Sequence, residues 1–154
     1  MNRKPSAFFA LVATALLGIS LCSCQSPIKE EPAKAEPAPG VSGSEPPPKT
    51  EWKVTASGVQ EDIFPAAFAG DGKTDTRWSS PQTDPQWLQI DLGRPATLCG
   101  LSIFWETAFA SEYTVLTSLD GSRWDEVYST TSGDGQTDEI YFRPTNAQFV
   151  KIIC

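Results

Sequence analysis

Six short runs of β-forming residues between positions 87 and 153 limit this chain to an all-β fold. Val, Ile, Tyr, Phe and Trp are frequent in the runs, which alternate apolar with polar residues or are apolar throughout. Turn residues separate them, as at Asp120-Gly121 and Gly133-Asp134-Gly135. No segment shows the 3.6-residue period of an amphipathic helix. The sequence therefore predicts a β-sandwich or jelly roll, with strands at residues 87–92, 98–106, 113–117, 124–128, 139–142 and 149–153.

The N-terminal residues indicate export. Arg3 and Lys4 precede an apolar run at 7–21 that is too short to span a membrane and matches the apolar part of a signal peptide. Leu21-Cys22-Ser23-Cys24 resembles a bacterial lipobox cut before Cys24. An ordinary signal peptide with two incidental cysteines is the alternative. We expect residues 1–23 to be removed, Cys24 to be lipidated, and the lipoprotein to be held on the outer membrane or cell surface.

Residues 24–50 predict a disordered tether and residues 51–154 a single domain. The first segment is rich in Pro, Glu, Ala and Lys and has almost no aliphatic side chains, so it cannot bury enough apolar surface to fold. The second is long enough for one small core. The formal net charge of −7 argues against nucleic acid as a partner.

No catalytic constellation stands out. The chain contains no His, so the commonest general base and any His-dependent nucleophile are missing. Carboxylates are abundant, but no spacing singles out a pair of the kind that glycosidases use. We expect a binding module rather than an enzyme.

Several blocks together resemble the discoidin domain, also called the coagulation factor 5/8 type C domain, a galactose-binding-like jelly roll. They occur in the order usual for that family. The blocks are Thr55-Ala56-Ser57, residues 69–80 with Thr76-Arg77-Trp78-Ser79-Ser80, Trp87-Leu88-Gln89-Ile90-Asp91-Leu92-Gly93, residues 104–110, Tyr113-Thr114-Val115 with residues 118–124, and Phe149-Val150-Lys151-Ile152.

The resemblance implies a jelly-roll β-sandwich that lacks the family's final strand. Family members usually continue into a Gly-rich segment and a strand ending in a Glu that helps to hold calcium, whereas this sequence stops at Cys154. We expect either a truncated reading frame or a shortened domain with an open sheet edge.

The resemblance also implies a structural calcium ion in the loop at residues 68–76. The ligands would be the backbone carbonyls of Phe68 and Lys73, the carboxylate of Asp71, and the hydroxyl and carbonyl of Thr76. The alternative is a cation-free Asx turn at Asp71.

By the same resemblance, ligand is bound by loops at one end of the jelly roll. Sugar recognition needs an aromatic face and a few fixed hydrogen-bonding groups. Phe64 and Phe109 would supply the aromatic faces, and Glu61, Gln82 and Glu106 the hydrogen bonds. Alternatively, the two phenylalanines pack inward and the polar side chains are merely solvated.

Two cysteines remain in the predicted domain, Cys99 and Cys154, both at predicted strands. In an exported domain they would form a disulfide, or they would remain as two buried thiols.

The predicted function is non-catalytic carbohydrate binding or adhesion by a membrane-anchored lipoprotein. The partner would be a glycan or cell-surface polysaccharide. The alternative is a structural or protein-interaction module of a cell-surface complex, without a sugar site.

Overall fold

Residues 46–154 are the part of the chain that the computed structural model describes. Five strands, all paired antiparallel, and two short 3-10 helices make up this part, which confirms the all-β prediction. The signal peptide, Cys24 and most of the predicted tether lie outside the described residues. The strands are β1 Lys53–Ala56, β2 Trp87–Phe104, β3 Tyr113–Ser118, β4 Asp125–Thr130 and β5 Thr137–Ile153, and the 3-10 helices are Lys49–Glu51 and Ala66–Gly70.

Two of the strands are far longer than predicted. The predicted runs at 87–92 and 98–106 join into β2, and those at 139–142 and 149–153 join into β5. Gly93-Arg94-Pro95, between the two predicted runs, lies at an irregularity in the pairing of β2 with β5, between Asp91 and Ala96. A bulge of this kind bends a strand without ending it.

The sheet curves around one core. Its strand order is β1-β2-β5-β3-β4, so the two long strands lie inside the sheet and β1 and β4 form its edges. Leu88 and Ile90 from the first half of β2 belong to the same buried cluster as Leu101 and Ile103 from the second half. Both halves therefore face a common interior, as in the predicted jelly roll. The other strands contribute large apolar residues to this cluster, including Tyr113, Val115, Ile140, Val150 and Ile152.

The tryptophans divide between the core and the outer face of the sheet. Trp78 and Trp105 are buried. Trp87 and Trp124 are only half-buried, and the ammonium of Lys151 lies 5.3 Å and 4.2 Å from their ring centroids. Trp87 alternates with buried Leu88 along β2, so its side chain points away from the core.

The folded region begins before the predicted domain boundary. Pro47 is buried, and its carbonyl accepts a hydrogen bond of 3.0 Å from the indole of Trp52. The 3-10 helix Lys49–Glu51 crosses the predicted boundary at residue 50. The last residues assigned to the tether therefore pack against the domain, because Trp52 and Val54 offer apolar surface there.

Both domain cysteines are thiols in the structure, and no disulfide joins them, which corrects the disulfide alternative. Cys99 is buried at the second irregularity of β2, and Cys154 pairs through its backbone with Gln86. Burial, together with the charge of Asp84, raises the pKa of the Cys154 thiol to about 12. No helix among residues 46–154 has the length and apolar character needed to cross a membrane.

Candidate functional site

Three loops converge at one end of the sheet. They span residues 57–65, 77–86 and 105–112, and they include all five predicted ligand-binding residues. The indole of Trp78 donates a 3.0 Å hydrogen bond to the carbonyl of Gly58, and the amide of Gln60 donates one of 2.8 Å to Ser79. Arg77 joins the second loop to the third through Glu106. These contacts bring together loops that are separated by 20 to 30 residues in sequence.

Arg77 is the centre of the site. Its guanidinium lies 4.2 Å from the ring centroid of Phe64, and Nη1 donates to Glu106 Oε1 at 3.2 Å. Its Nε donates to Ser79 Oγ at 3.4 Å. The structure therefore brings two of the predicted ligand residues, Phe64 and Glu106, together on an arginine that the sequence analysis did not assign to the site.

The Arg77–Glu106 ion pair is open to solvent. The two side chains are 35% and 43% exposed. Exposed ion pairs contribute about 0–1 kcal/mol to stability. A ligand can therefore recruit either partner at little cost to the fold.

Phe64 and Phe109 are both half-buried. One face of the Phe64 ring is covered by Arg77. The ring of Phe109 lies on Gly135, where φ is +81° and an added β-carbon would come within 2.8 Å of Phe109 Cδ1. Gly135 thus lets the aromatic ring approach the backbone of the 131–136 loop. Each phenylalanine is partly packed and partly accessible.

A partly buried hydrogen-bond network holds the base of the third loop. The indole of Trp105 and the hydroxyl of Tyr113 both donate to Asp138 Oδ2 at 2.6 Å, and the two rings lie 5.3 Å apart. Burial and the hydrogen bond to Asp138 raise the pKa of Tyr113 above its usual value. The tyrosine therefore remains a hydrogen-bond donor, and Glu106 follows directly after an anchored residue.

Gln86 anchors the second loop. Its side-chain amide donates to the carbonyl of Thr83 and, at 3.0 Å, to the Thr83 hydroxyl, while its oxygen accepts from Ser57. Gln82 is exposed within the loop that Gln86 holds, and Glu61 is exposed on the first loop. The structure places both at this end of the sheet with side chains open to solvent.

The position of Arg77 next to Trp78 in sequence indicates its orientation. It directly precedes Trp78, and neighbouring side chains in an extended segment point to opposite sides. A buried tryptophan at 78 therefore predicts a side chain at 77 that faces outward. Phe104 lies in a strand, as predicted, where it is the last residue of β2, and its side chain is exposed two residues before Glu106.

The charge of the three loops is strongly acidic. The loops contain one basic residue, Arg77, which is already paired with Glu106. Their acidic residues are Glu61, Asp62, Asp84, Glu106 and Glu112. Such a surface attracts cationic groups and repels anionic ones.

The loop predicted to bind calcium lies elsewhere, beside the N-terminal segment. The amide of Lys73 donates to Asp71 Oδ1 at 2.9 Å, and the Thr76 hydroxyl lies 3.0 Å and 2.9 Å from Oδ1 and Oδ2. Gly72 has φ +77°, which permits the tight turn. The side chain of Asp71 therefore forms the Asx-type turn that was the alternative to a cation site. Phe68 lies in the second 3-10 helix of this region.

Among the four predicted calcium ligands one is a carboxylate, Asp71, and it already accepts hydrogen bonds from Lys73 and Thr76. Calcium takes six to eight oxygen ligands, and its affinity rises with the number of charged ligands. Residues 46–154 contain no group of three or more carboxylate, thiol or imidazole side chains that could hold a metal. The ammonium of Lys49 also lies beside the loop. Calcium therefore stays a prediction from the resemblance alone.

Comparison with known proteins gives concordant matches. The family model of the F5/8 type C domain matches residues 53–154. Chitosan-binding module 1 of a chitosanase/glucanase from Paenibacillus sp. IK-5 is 38% identical, with 67% of this chain and 81% of the module covered and a TM-score of 0.64. Module 2 of the same enzyme, solved with chitotriose, is 35% identical, with 68% and 83% covered and a TM-score of 0.66.

A curated relative is a polysaccharide lyase 8 family protein of Enterococcus faecalis. It is 35% identical over an alignment of 111 positions, which covers 64% of this chain. The chain spans only 8% of the length of that lyase.

Proposed function

This chain belongs to the F5/8 type C domain family, and from that membership we propose that it is a non-catalytic carbohydrate-binding module. The observation that carries the proposal is the 35–38% identity to two chitosan-binding modules over about four fifths of their length. The three convergent loops supply a place for the ligand, with exposed polar side chains and partly accessible rings. The relative from Enterococcus faecalis suggests that such modules also accompany polysaccharide-degrading enzymes.

The site chemistry favours glycans that carry amino groups. Glu106 and Glu61 would accept hydrogen bonds from a protonated amine, because ionised carboxylates make strong charge-assisted hydrogen bonds with cations. Arg77 would donate to hydroxyl or ring oxygens, and Phe109 and Gln82 would flank the sugar. Uronic or sialic acids would meet the net negative charge of the loops.

We further propose that the module is displayed on a bacterial membrane through lipidated Cys24. The lipobox-like Leu21 to Cys24 and the Pro-rich composition that follows support this arrangement. Several acyl chains on one cysteine would hold the protein stably on the outer membrane or cell surface.

The proposal is tested by titrating the full chain with chitotriose, with cellotriose, which has the same linkage but no amine, and with a uronic acid trisaccharide. We expect chitotriose to bind most tightly, with a dissociation constant between millimolar and micromolar, or about 4–8 kcal/mol. Glu106→Gln should weaken chitotriose binding about tenfold, since a charge-assisted hydrogen bond contributes about 1.5–3 kcal/mol.

The matched control is Glu126→Gln, which neutralises an exposed carboxylate on β4. It should leave chitotriose binding unchanged, and neither variant should alter cooperative unfolding. Equal binding of all three trisaccharides would refute the amino-sugar preference. A folded chain that binds no glycan at millimolar concentration but captures a protein partner would instead support the interaction-module alternative.

A further inference from the structure

The N-terminal segment holds Lys49 in a fixed place beside the 68–76 loop. The amide of Glu51 donates to the carbonyl of Pro48 at 2.9 Å, and that of Trp52 donates to the carbonyl of Lys49 at 3.1 Å. The Trp52 indole bonds to Pro47, which is buried. The backbone on both sides of Lys49 is therefore anchored to the domain.

The side chain of Lys49 extends over the turn that follows Asp71. A β-carbon added to Gly72 would lie 3.5 Å from Lys49 Cδ and 3.9 Å from Nζ. The ammonium is also 5.9 Å from the centroid of the Trp52 ring. These groups border a cavity of about 230 Å³, lined by Lys49, Thr50, Trp52, Val54, Ala67, Gly70 and Asp71. The cavity thus has one ammonium and one carboxylate in its wall.

The charges of Lys49 and Asp71 complement each other. Among the described residues, the hydrogen-bond partners of the Asp71 carboxylate are neutral, an amide and a hydroxyl, so they leave its negative charge uncompensated. Asp71 is half-buried, and a cation nearby stabilises that charge. Burial lowers the pKa of Lys49, and the charge of Asp71 opposes that shift. The ammonium is therefore partly desolvated and lies within electrostatic range of the carboxylate.

We propose that Lys49 is a built-in cation of the 68–76 loop, which supplies beside Asp71 the positive charge that a bound divalent cation would otherwise supply. The domain then keeps this loop folded without calcium. A divalent ion approaching Asp71 is repelled by the ammonium. Residues 46–50 accordingly belong to the folded domain rather than to a spacer.

The test compares thermal unfolding of the full chain and its Lys49→Met variant in EDTA and in millimolar calcium. The wild-type melting temperature should change by less than about 1 °C between the two conditions. Lys49→Met should melt about 3–6 °C lower in EDTA, a shift typical of one lost interaction in a domain of this size. Calcium should restore part of that loss, because the repelling ammonium is gone.

Lys73→Met is the matched control. Lys73 is exposed on the same loop, and its contact with Asp71 is made by its backbone amide, which the substitution keeps. It should behave as the wild type does. Lys49→Arg retains the charge and should remain insensitive to calcium, which separates loss of charge from a general defect in folding.

Terbium luminescence gives a direct readout, since Trp52 lines the cavity and can sensitise a bound lanthanide. Terbium should give sensitised emission with Lys49→Met and little with the wild type. The inference is overturned if calcium raises the wild-type melting temperature as much as that of Lys49→Met. It is equally overturned if Lys49→Met melts no lower than Lys73→Met.

Discussion

Asp138→Ala should be among the most damaging single substitutions of a polar side chain. One oxygen of Asp138 accepts hydrogen bonds of 2.6 Å from both Trp105 and Tyr113. Trp105 and Tyr113 are only 8% and 3% exposed, while Asp138 is half-buried, so water can reach the two donors only from the side of Asp138. The substitution would leave two buried donors unsatisfied.

The expected loss of stability follows from the number of donors left without an acceptor. Each buried donor left without an acceptor costs about 1–3 kcal/mol. Two donors, less some relaxation of the Tyr113 hydroxyl towards solvent, give about 3–5 kcal/mol. Asp138→Asn keeps an acceptor oxygen at the same position but loses the charge, and should cost about 1–2 kcal/mol, since hydrogen bonds to charged groups exceed neutral ones by about that amount.

Urea unfolding of the full chain, followed by tryptophan fluorescence, measures these losses. With a slope of about 1–3 kcal/mol per molar urea, Asp138→Ala should lower the midpoint by about 1–5 M. Thr137→Ala, at an exposed neighbouring position on β5, is the control and should lower it far less.

A double-mutant cycle with Tyr113→Phe provides the decisive comparison. Removal of the tyrosine hydroxyl leaves Trp105 as the one donor to Asp138 Oδ2, so Asp138→Ala should cost about half as much in that background. An unchanged cost, or a cost no greater than that of Thr137→Ala, would refute the argument that the shared acceptor stabilises the base of the loop.

Two further predictions concern cysteines. Cys24→Ala should release the protein from membranes or leave an unprocessed precursor, as fractionation and N-terminal sequencing would show; a wild-type product that is soluble and begins elsewhere would contradict lipidation. Cys154 should be alkylated slowly in the native chain at pH 9 and quickly in urea, as peptide mass spectrometry would show. The reason is that its folded pKa of about 12 leaves on the order of 10³-fold less thiolate than an ordinary thiol has. Since that pKa is raised on folding, its contribution to stability is full below about pH 9 and is lost as the pH rises towards 12; a midpoint of unfolding that does not fall over this range would contradict it.

The strands were predictable from sequence, but their continuity was not. Alternation of side chains revealed each half of β2 and β5, because it depends only on which residues face the core. Gly93-Arg94-Pro95 carries the same local signal whether the chain turns back or bulges and continues. The pairing of Asp91 and Ala96 with the two parts of β5 decides between them, and that pairing is a long-range property. β1 was missed because four residues are too few to establish a period.

The location of the site was predictable at the level of loops, whereas its centre was not. Glu106 and Phe64 were selected for their chemistry, and the structure joins them through Arg77. Arg77 and Glu106 are 29 residues apart in sequence, and their pairing depends on the packing of Trp78 next to Arg77. The contact of Lys49 with the 68–76 loop was missed for a different reason. Its Pro-rich surroundings have the composition of a linker, and composition does not reveal that Pro47 finds a buried place against Trp52.

The exposed residues of the site are placed by buried neighbours in sequence. Arg77 precedes Trp78, whose indole is bonded to the first loop, and Glu106 follows Trp105, whose indole is bonded to Asp138. In each pair the buried tryptophan fixes the backbone, while the outward side chain stays accessible to a ligand, at 35% and 43% exposure. A substitution of Arg77 or Glu106 should therefore change recognition with little effect on folding, since their ion pair contributes about 0–1 kcal/mol. A substitution of either tryptophan should cost about 3–5 kcal/mol and would remove the site together with the fold. Specificity can thus vary in this architecture without a change in the residues that hold the loops.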